Sequence, residues 1–239
     1  MFEFCAFTSK GVNRKKNEDR VMVADKTIKN GFFCGSKEES LTAVICDGVG
    51  SIPGGDKAAE KASDSFIGCE EKTSSPRKID YHLHKVNKKI TSDGNMASTI
   101  AGISIYKRSY ISFNLGDTRI YRYRNNDLTL ISKDHIVAID PYLSLLNGKC
   151  NGHAITRYLG GDGCACYPTL CRGRIEPEDQ FLLCSDGIYK VTKDTELKEV
   201  LSLPVSLKIK VKEITSRSLA YRSDDDLSIV IIRHSSTSL

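Results

Sequence analysis

Two apolar runs in this chain end abruptly at an aspartate. Thr42-Ala43-Val44-Ile45-Cys46 runs into Asp47-Gly48, and Gln180-Phe181-Leu182-Leu183-Cys184 runs into Ser185-Asp186-Gly187. Short apolar runs closed by turn residues read as strands with both faces buried. A carboxylate at the mouth of such a strand is costly to desolvate. A single Asp-Gly can be explained by turn chemistry alone. The chain repeats the arrangement, however: Gly116-Asp117 closes a further run, Asp19 precedes Arg20-Val21-Met22-Val23-Ala24, and Asp224-Asp225-Asp226 precedes Leu227 to Arg233.

The remaining pattern predicts which elements surround these ends. Phe2 to Phe7 alternates as a strand, and strands are expected at Thr99–Tyr106, Tyr110–Asn114, Ile120–Arg124 and Leu128–Ser132. Gly54-Gly55-Asp56 opens a helical stretch that sets Ala59, Ala62, Phe66 and Cys69 on one side. Ile79, Leu83, Val86 and Ile90 recur at helical spacing within 79–92. Further helices are expected at 194–202 and 205–220, and 139–175, the least periodic part, reads as surface loop. Helices fall in pairs between groups of strands, which favours antiparallel sheets covered by helices over a doubly wound parallel sheet. No repeat or linker divides the sequence, so 1–239 is expected to be one domain.

Carboxylates gathered at one sheet edge repel each other unless cations neutralise them. Hard oxygen ligands, with no Cys or His among them, select Mg²⁺ or Mn²⁺ over zinc. Two such ions side by side suit the activation of water for phosphoryl transfer.

The order of these residues resembles the metal-dependent protein phosphatases of type 2C (the PPM family) in their compact bacterial form. The matching stretches are Gly11 to Asp19 (GVNRKKNED), Asp47-Gly48-Val49-Gly50, Ala97 to Ile100, Gly116-Asp117-Thr118-Arg119, Lys133-Asp134-His135, Ile155 to Gly160, Ser185 to Ile188 and Asp225 to Ser228. Each is weak alone, but together they follow the family order over most of the chain. The resemblance implies an α+β fold, a four-layer α-β-β-α sandwich of two packed antiparallel sheets flanked by helix pairs. It implies serine/threonine phosphatase activity with two Mn²⁺ or Mg²⁺ ions, through attack of a bridging hydroxide on the phosphorus of phosphoserine or phosphothreonine. Asp47 matches the aspartate shared by both ions, Gly48 a carbonyl ligand, and Asp186 and Asp225 the other carboxylate ligands. Glu18 and Asp19 match positions that hold metal-bound water, and Asp117 matches the site of a third, looser ion shared with Asp186. Arg14 matches the arginine that grips substrate phosphate, a task suited to its planar fork.

Three positions depart from the family pattern. Val49 stands where some members have a histidine that protonates the leaving group, so the general acid is unassigned, and His135 is expected to be structural. Ser51 replaces a glycine and raises the question of a shifted turn. Asp226 replaces the usual asparagine beside the last ligand.

Composition excludes other classes. The net charge of +5 is mild, and the basic runs at 84–89 and 208–212 alternate with apolar residues as solvated helix faces do. A nucleic-acid partner is therefore not expected. No run approaches the length of a membrane span, and the opening MFEFCAFTSKG lacks the features of an export signal. The reading is a cytoplasmic monomer whose partners are phosphorylated proteins and an opposing Ser/Thr kinase. The nine cysteines are expected to be reduced, with Cys46 and Cys184 as core residues. Cys150, Cys164, Cys166 and Cys171, near His153, lack paired zinc spacing but leave a zinc-organised interaction module as an alternative. A pseudophosphatase that binds phosphoproteins without turnover is the other.

Overall fold

The computed structural model describes residues 1–69, 73–138, 153–162 and 166–235. Its strands form two six-stranded antiparallel sheets and two small two-stranded ones. In chain order the early strands are β1 (Phe2–Ser9), β2 (Arg20–Val23), β3 (Lys26–Ile28), β4 (Gly31–Lys37) and β5 (Ser40–Cys46), followed by helices α1 (Gly55–Asp64) and α2 (Pro76–Ser92). The middle of the chain holds β6 (Ala97–Ser98), β7 (Ile100–Tyr106), β8 (Ser109–Leu115), β9 (Arg119–Arg124), β10 (Asp127–Leu130), β11 (Ile136–Ala138), β12 (His153–Ile155), β13 (Leu159–Gly160) and β14 (Thr169–Arg174). Then come β15 (Gln180–Cys184), α3 (Asp186–Tyr189), α4 (Asp194–Ser202), α5 (Leu207–Ala220) and β16 (Leu227–His234). One six-stranded sheet has the order β10-β9-β15-β16-β1-β4, and the other β14-β8-β7-β5-β2-β3.

Side-chain alternation explains the uninterrupted apolar runs. Along β5, Ala43 and Ile45 face the core between the sheets, while Val44 and Cys46 face the core beneath α1 and α2. Along β15, Phe181 and Leu183 face the central core, while Leu182 and Cys184 face that beneath α3 to α5. Successive residues point to opposite faces of a sheet. When both faces are covered, the sequence has no polar side to show. The result is the four-layer sandwich that the resemblance implies. Helix α2 begins with Ser75 capping the Lys78 N–H at 3.3 Å and with Pro76 in its first turn. Its buried stripe of Ile79, Leu83, Val86 and Ile90 packs on the second sheet.

Several expectations need correction. Within 139–175, the stretches 153–155, 159–160 and 169–174 are strands, and β14 pairs with β8 from Thr169↔Asn114 to Arg174↔Ser109. Cys5 is disulfide-bonded to Cys34, its register partner on β4, so not every cysteine is reduced. Cys46 and Cys184 are free and fully buried, as expected. Of the proposed zinc group, Cys150 and Cys164 lie outside the described residues. Cys166 packs into the core beneath α1 and α2, and Cys171 sits on edge strand β14. In the run 208–212, Lys208 and Lys212 are exposed but Lys210 is buried. No helix among the described residues is long and apolar enough to cross a membrane.

Candidate active site

Antiparallel neighbours bring strand ends of both sheets to one edge. The first sheet supplies Arg14 from the loop after β1, Asp186 after β15 and Asp225 before β16. The second supplies Asp19 before β2, Asp47 after β5 and Asp117 after β8. These carboxylates are close enough to act on one another. The pKa of Asp47 is raised well above the usual carboxylate range, first by burial and then by the charges of Asp19, Asp186, Asp225 and Asp117. Asp19 is pushed up to about 8 and Asp186 to about 6, again mainly by burial.

The backbone around the cluster is tightly set. Gly48 packs against Gly55 at the start of α1, where a Cβ would lie 2.4 Å from the Gly55 carbonyl carbon. The Asp47 carbonyl accepts from the Thr99 N–H at 2.8 Å and from Ser98 Oγ at 3.0 Å. Gly187 lies under the Asp226 carbonyl, where a Cβ would be 2.2 Å from the oxygen. Asp226 closes the far side: its carboxylate accepts from the Gly11 N–H at 2.8 Å and from the Glu18 N–H at 2.6 Å. That accounts for an acid where the family has asparagine, since both positions need only an acceptor. Ser51 causes no strain, because the left-handed residue of this loop is Gly54 at φ 82°.

Two cations share the carboxylates. Arg14 Nη2 donates to both oxygens of Asp225, at 2.5 and 2.6 Å, and Lys190 Nζ contacts Asp186 Oδ2 at 2.5 Å. Lys16 bridges Glu18 and Asp56. Among the described residues, no three His, Cys, Asp or Glu side chains form a ready-made ion site. Yet Asp19 Oδ2 and Asp186 Oδ1 are buried with no hydrogen-bond partner. Buried carboxylate oxygens ordinarily have donors or a metal. The donor set around these two is all oxygen, which suits Mg²⁺ or Mn²⁺.

His135 has no free acid–base function. Its Nδ1 accepts from the Gly116 N–H at 3.1 Å, and its Nε2 lies 2.8 Å from Thr169 Oγ1. Burial and the Arg157 guanidinium depress its pKa to about 4, so it is neutral at physiological pH. Lys190 and Tyr189 are the site residues that sequence reading missed. Tyr189 donates to Asp117 Oδ2 at 3.2 Å, and the Arg119 guanidinium stacks 3.9 Å from its ring centroid. The spacing of Asp186 and Lys190, one helical turn, was the signal available.

No family model matches the chain. The serine/threonine phosphatase stp of Listeria welshimeri is 25% identical over 251 residues, an alignment that covers 94% of this chain and 93% of that protein. Serine/threonine protein phosphatase PstP of Mycobacterium tuberculosis is 24% identical over 230 residues, covering 85% of this chain and 40% of that longer protein. Among solved structures, serine/threonine phosphatase Stp1 from Staphylococcus aureus superposes with a TM-score of 0.80 at 22% identity, covering 99% of this chain and 96% of that one. A bacterial serine phosphatase gives 0.81 at 21% identity over the full length of both. In sequence and in fold the chain is thus similar to bacterial serine/threonine phosphatases.

Proposed function

We propose that this chain is a metal-dependent serine/threonine protein phosphatase. The observation that carries the reading is the group of aspartates from both sheets at one edge, with buried oxygens of Asp19 and Asp186 that no protein donor satisfies. Asp47, the Gly48 carbonyl, Asp186 and Asp225 would hold two Mn²⁺ or Mg²⁺ ions, with Glu18 and Asp19 orienting water beside them. When bound, the ions lower the pKa of a water so that it can attack phosphorus, and they offset charge on the phosphoryl oxygens.

The chain's own residues complete the site. Arg14 is 39% exposed and, among the described residues, its one ion-pair partner is Asp225. Once Asp225 serves as a ligand, the guanidinium is free to grip two phosphate oxygens of the substrate. Asp226 fixes the loop that carries Arg14 by holding the Gly11 and Glu18 amides. With valine at position 49 and His135 neutral and engaged, the proton for the departing serine or threonine oxygen comes from solvent. The partners are phosphorylated proteins, and a Ser/Thr kinase acting on the same proteins is the functional counterpart.

The test is hydrolysis of p-nitrophenyl phosphate and of a phosphothreonine peptide with Mn²⁺, Mg²⁺ or EDTA. Turnover with either ion and none in EDTA is expected. A folded protein inactive with every divalent ion would reduce the reading to a phosphoprotein-binding pseudophosphatase.

A further inference from the structure

Asp117 and Asp186 face a cavity of about 290 Å³ beside the cluster, and Tyr189 and Lys190 line it with them. Family resemblance implies a third, looser ion at Asp117 and Asp186. In this chain a protein cation, Lys190, contacts Asp186. Lys190 caps the short helix α3, and its N–H donates to the Asp186 carbonyl at 3.1 Å. That turn sets the lysine stem over Asp186, and Nζ meets Asp186 Oδ2 at 2.5 Å.

The other aspartate is served from the same turn. The Tyr189 hydroxyl donates to Asp117 Oδ2 at 3.2 Å, and the Tyr189 ring lies against Arg119. Arg119 is itself fixed by Asp134, with Nη2 to Oδ2 at 2.7 Å. One hydroxyl and one ammonium on consecutive residues thus contact the two carboxylates that the resemblance assigns to a third ion. We propose that Lys190 is a tethered cation that takes the place of the third metal ion between Asp117 and Asp186, leaving a two-ion enzyme. An ammonium is a compact point charge on a flexible stem, suited to such a role.

The proposal rests on the two-ion reading of the site, and counting bound Mn²⁺ keeps the two apart. Isothermal titration calorimetry and the electron paramagnetic resonance of free Mn²⁺ give the number of ions per chain without reference to turnover. Wild type is expected to bind two. Lys190→Ala and Lys190→Gln should each bind one more, and Lys190→Arg should return to two. The Lys190→Ala/Asp117→Asn double variant should also bind two. Three ions on wild type, with the third lost in Asp117→Asn, would overturn the proposal while leaving the two-ion reading intact. An unchanged count of two in both neutral variants would overturn it equally. No binding to wild type would overturn both. Lys190 is exposed with its side chain 58% accessible, so its neutral variants should fold, as circular dichroism melting would confirm.

Discussion

Strand β15 carries a buried aspartate at each end, Asp179 before it and Asp186 after it, and the surroundings of the two are opposite in kind. Asp179 is 1% exposed and fully partnered: Arg124 Nε and Nη2 donate at 2.7 and 2.5 Å, and the Glu176 N–H donates at 2.8 Å. Asp186 is 9% exposed, has one flexible lysine on Oδ2 and no partner on Oδ1, and sits among other carboxylates. Burial is therefore not what distinguishes a functional acid from a structural one. A bidentate arginine and a backbone amide satisfy a carboxylate within the fold. A carboxylate left short of donors among like charges is costly, and such groups mark places where a fold is built to receive something.

The comparison makes opposite predictions for the two aspartates. Asp186→Ala should lower kcat/KM for p-nitrophenyl phosphate by about 10²–10³-fold, as loss of several kcal/mol of ion-mediated stabilisation implies, and should weaken Mn²⁺ binding. In EDTA its melting temperature should be unchanged or higher, because a repelled carboxylate has been removed. A rate within tenfold of wild type would place the ligands elsewhere. Asp179→Asn should do the reverse, leaving turnover near wild type. Breaking a buried charge pair costs about 3–5 kcal/mol, and water at the partly exposed Arg124 should reduce this to about 2–3 kcal/mol. In a chain of this size that is a fall of about 4–12 °C, read by calorimetry. If Asp179→Asn melted like wild type, the contrast between the two ends would fail.

Arg14 tests the same contrast from the cation's side. Arg124 is paired with a fully buried Asp179, whereas Arg14 and its partner Asp225 are both partly exposed, at 39% and 34%. Arg14→Ala should mainly raise KM for a phosphopeptide, by about tenfold for a loss near 1.4 kcal/mol, with a smaller change in kcat. Stability should barely move. A large fall in stability with KM unchanged would make Arg14 structural instead.

The interior strands could be read from sequence because both of their faces are covered, so β5, β15 and β16 show unbroken apolar runs. Edge strands β4 and β14 escaped notice because exposed or half-buried residues fill each of them and only one neighbour pairs with them. Of the candidate site, the aspartates were visible as polar stops to apolar runs. Their partners were not. Asp226 reaches Gly11 and Glu18 across more than 200 positions, and no local pattern reports such a contact. Lys210 was hidden for a different reason. It sits in a basic run, but on the same helical stripe as Leu207, Val211 and Ile214, and that spacing was the overlooked sign of burial.

Lys210 gives the smallest and most specific test at the quiet end of β15. Its ammonium donates to Gln180 Oε1 at 2.9 Å and to the Leu201 carbonyl at 2.5 Å. Burial, helped by the Arg233 charge, lowers its pKa to about 8, from 10.5 for an ordinary lysine. Between those values the unfolded chain holds the proton and the folded one does not, so stability rises with pH across that window. Below about pH 8 the cost of the buried charge is fully present. In Lys210→Met the Leu201 carbonyl keeps a donor in Gln180 Nε2 at 3.1 Å, so the variant should fold with nearly unchanged stability at pH 7.5. Between pH 7.5 and 9.5, urea unfolding should show wild type gaining about 1–2 kcal/mol on the variant. Parallel pH profiles would mean that Lys210 titrates normally, and that hydrogen bonds alone suffice to hold a charge at this end of the strand.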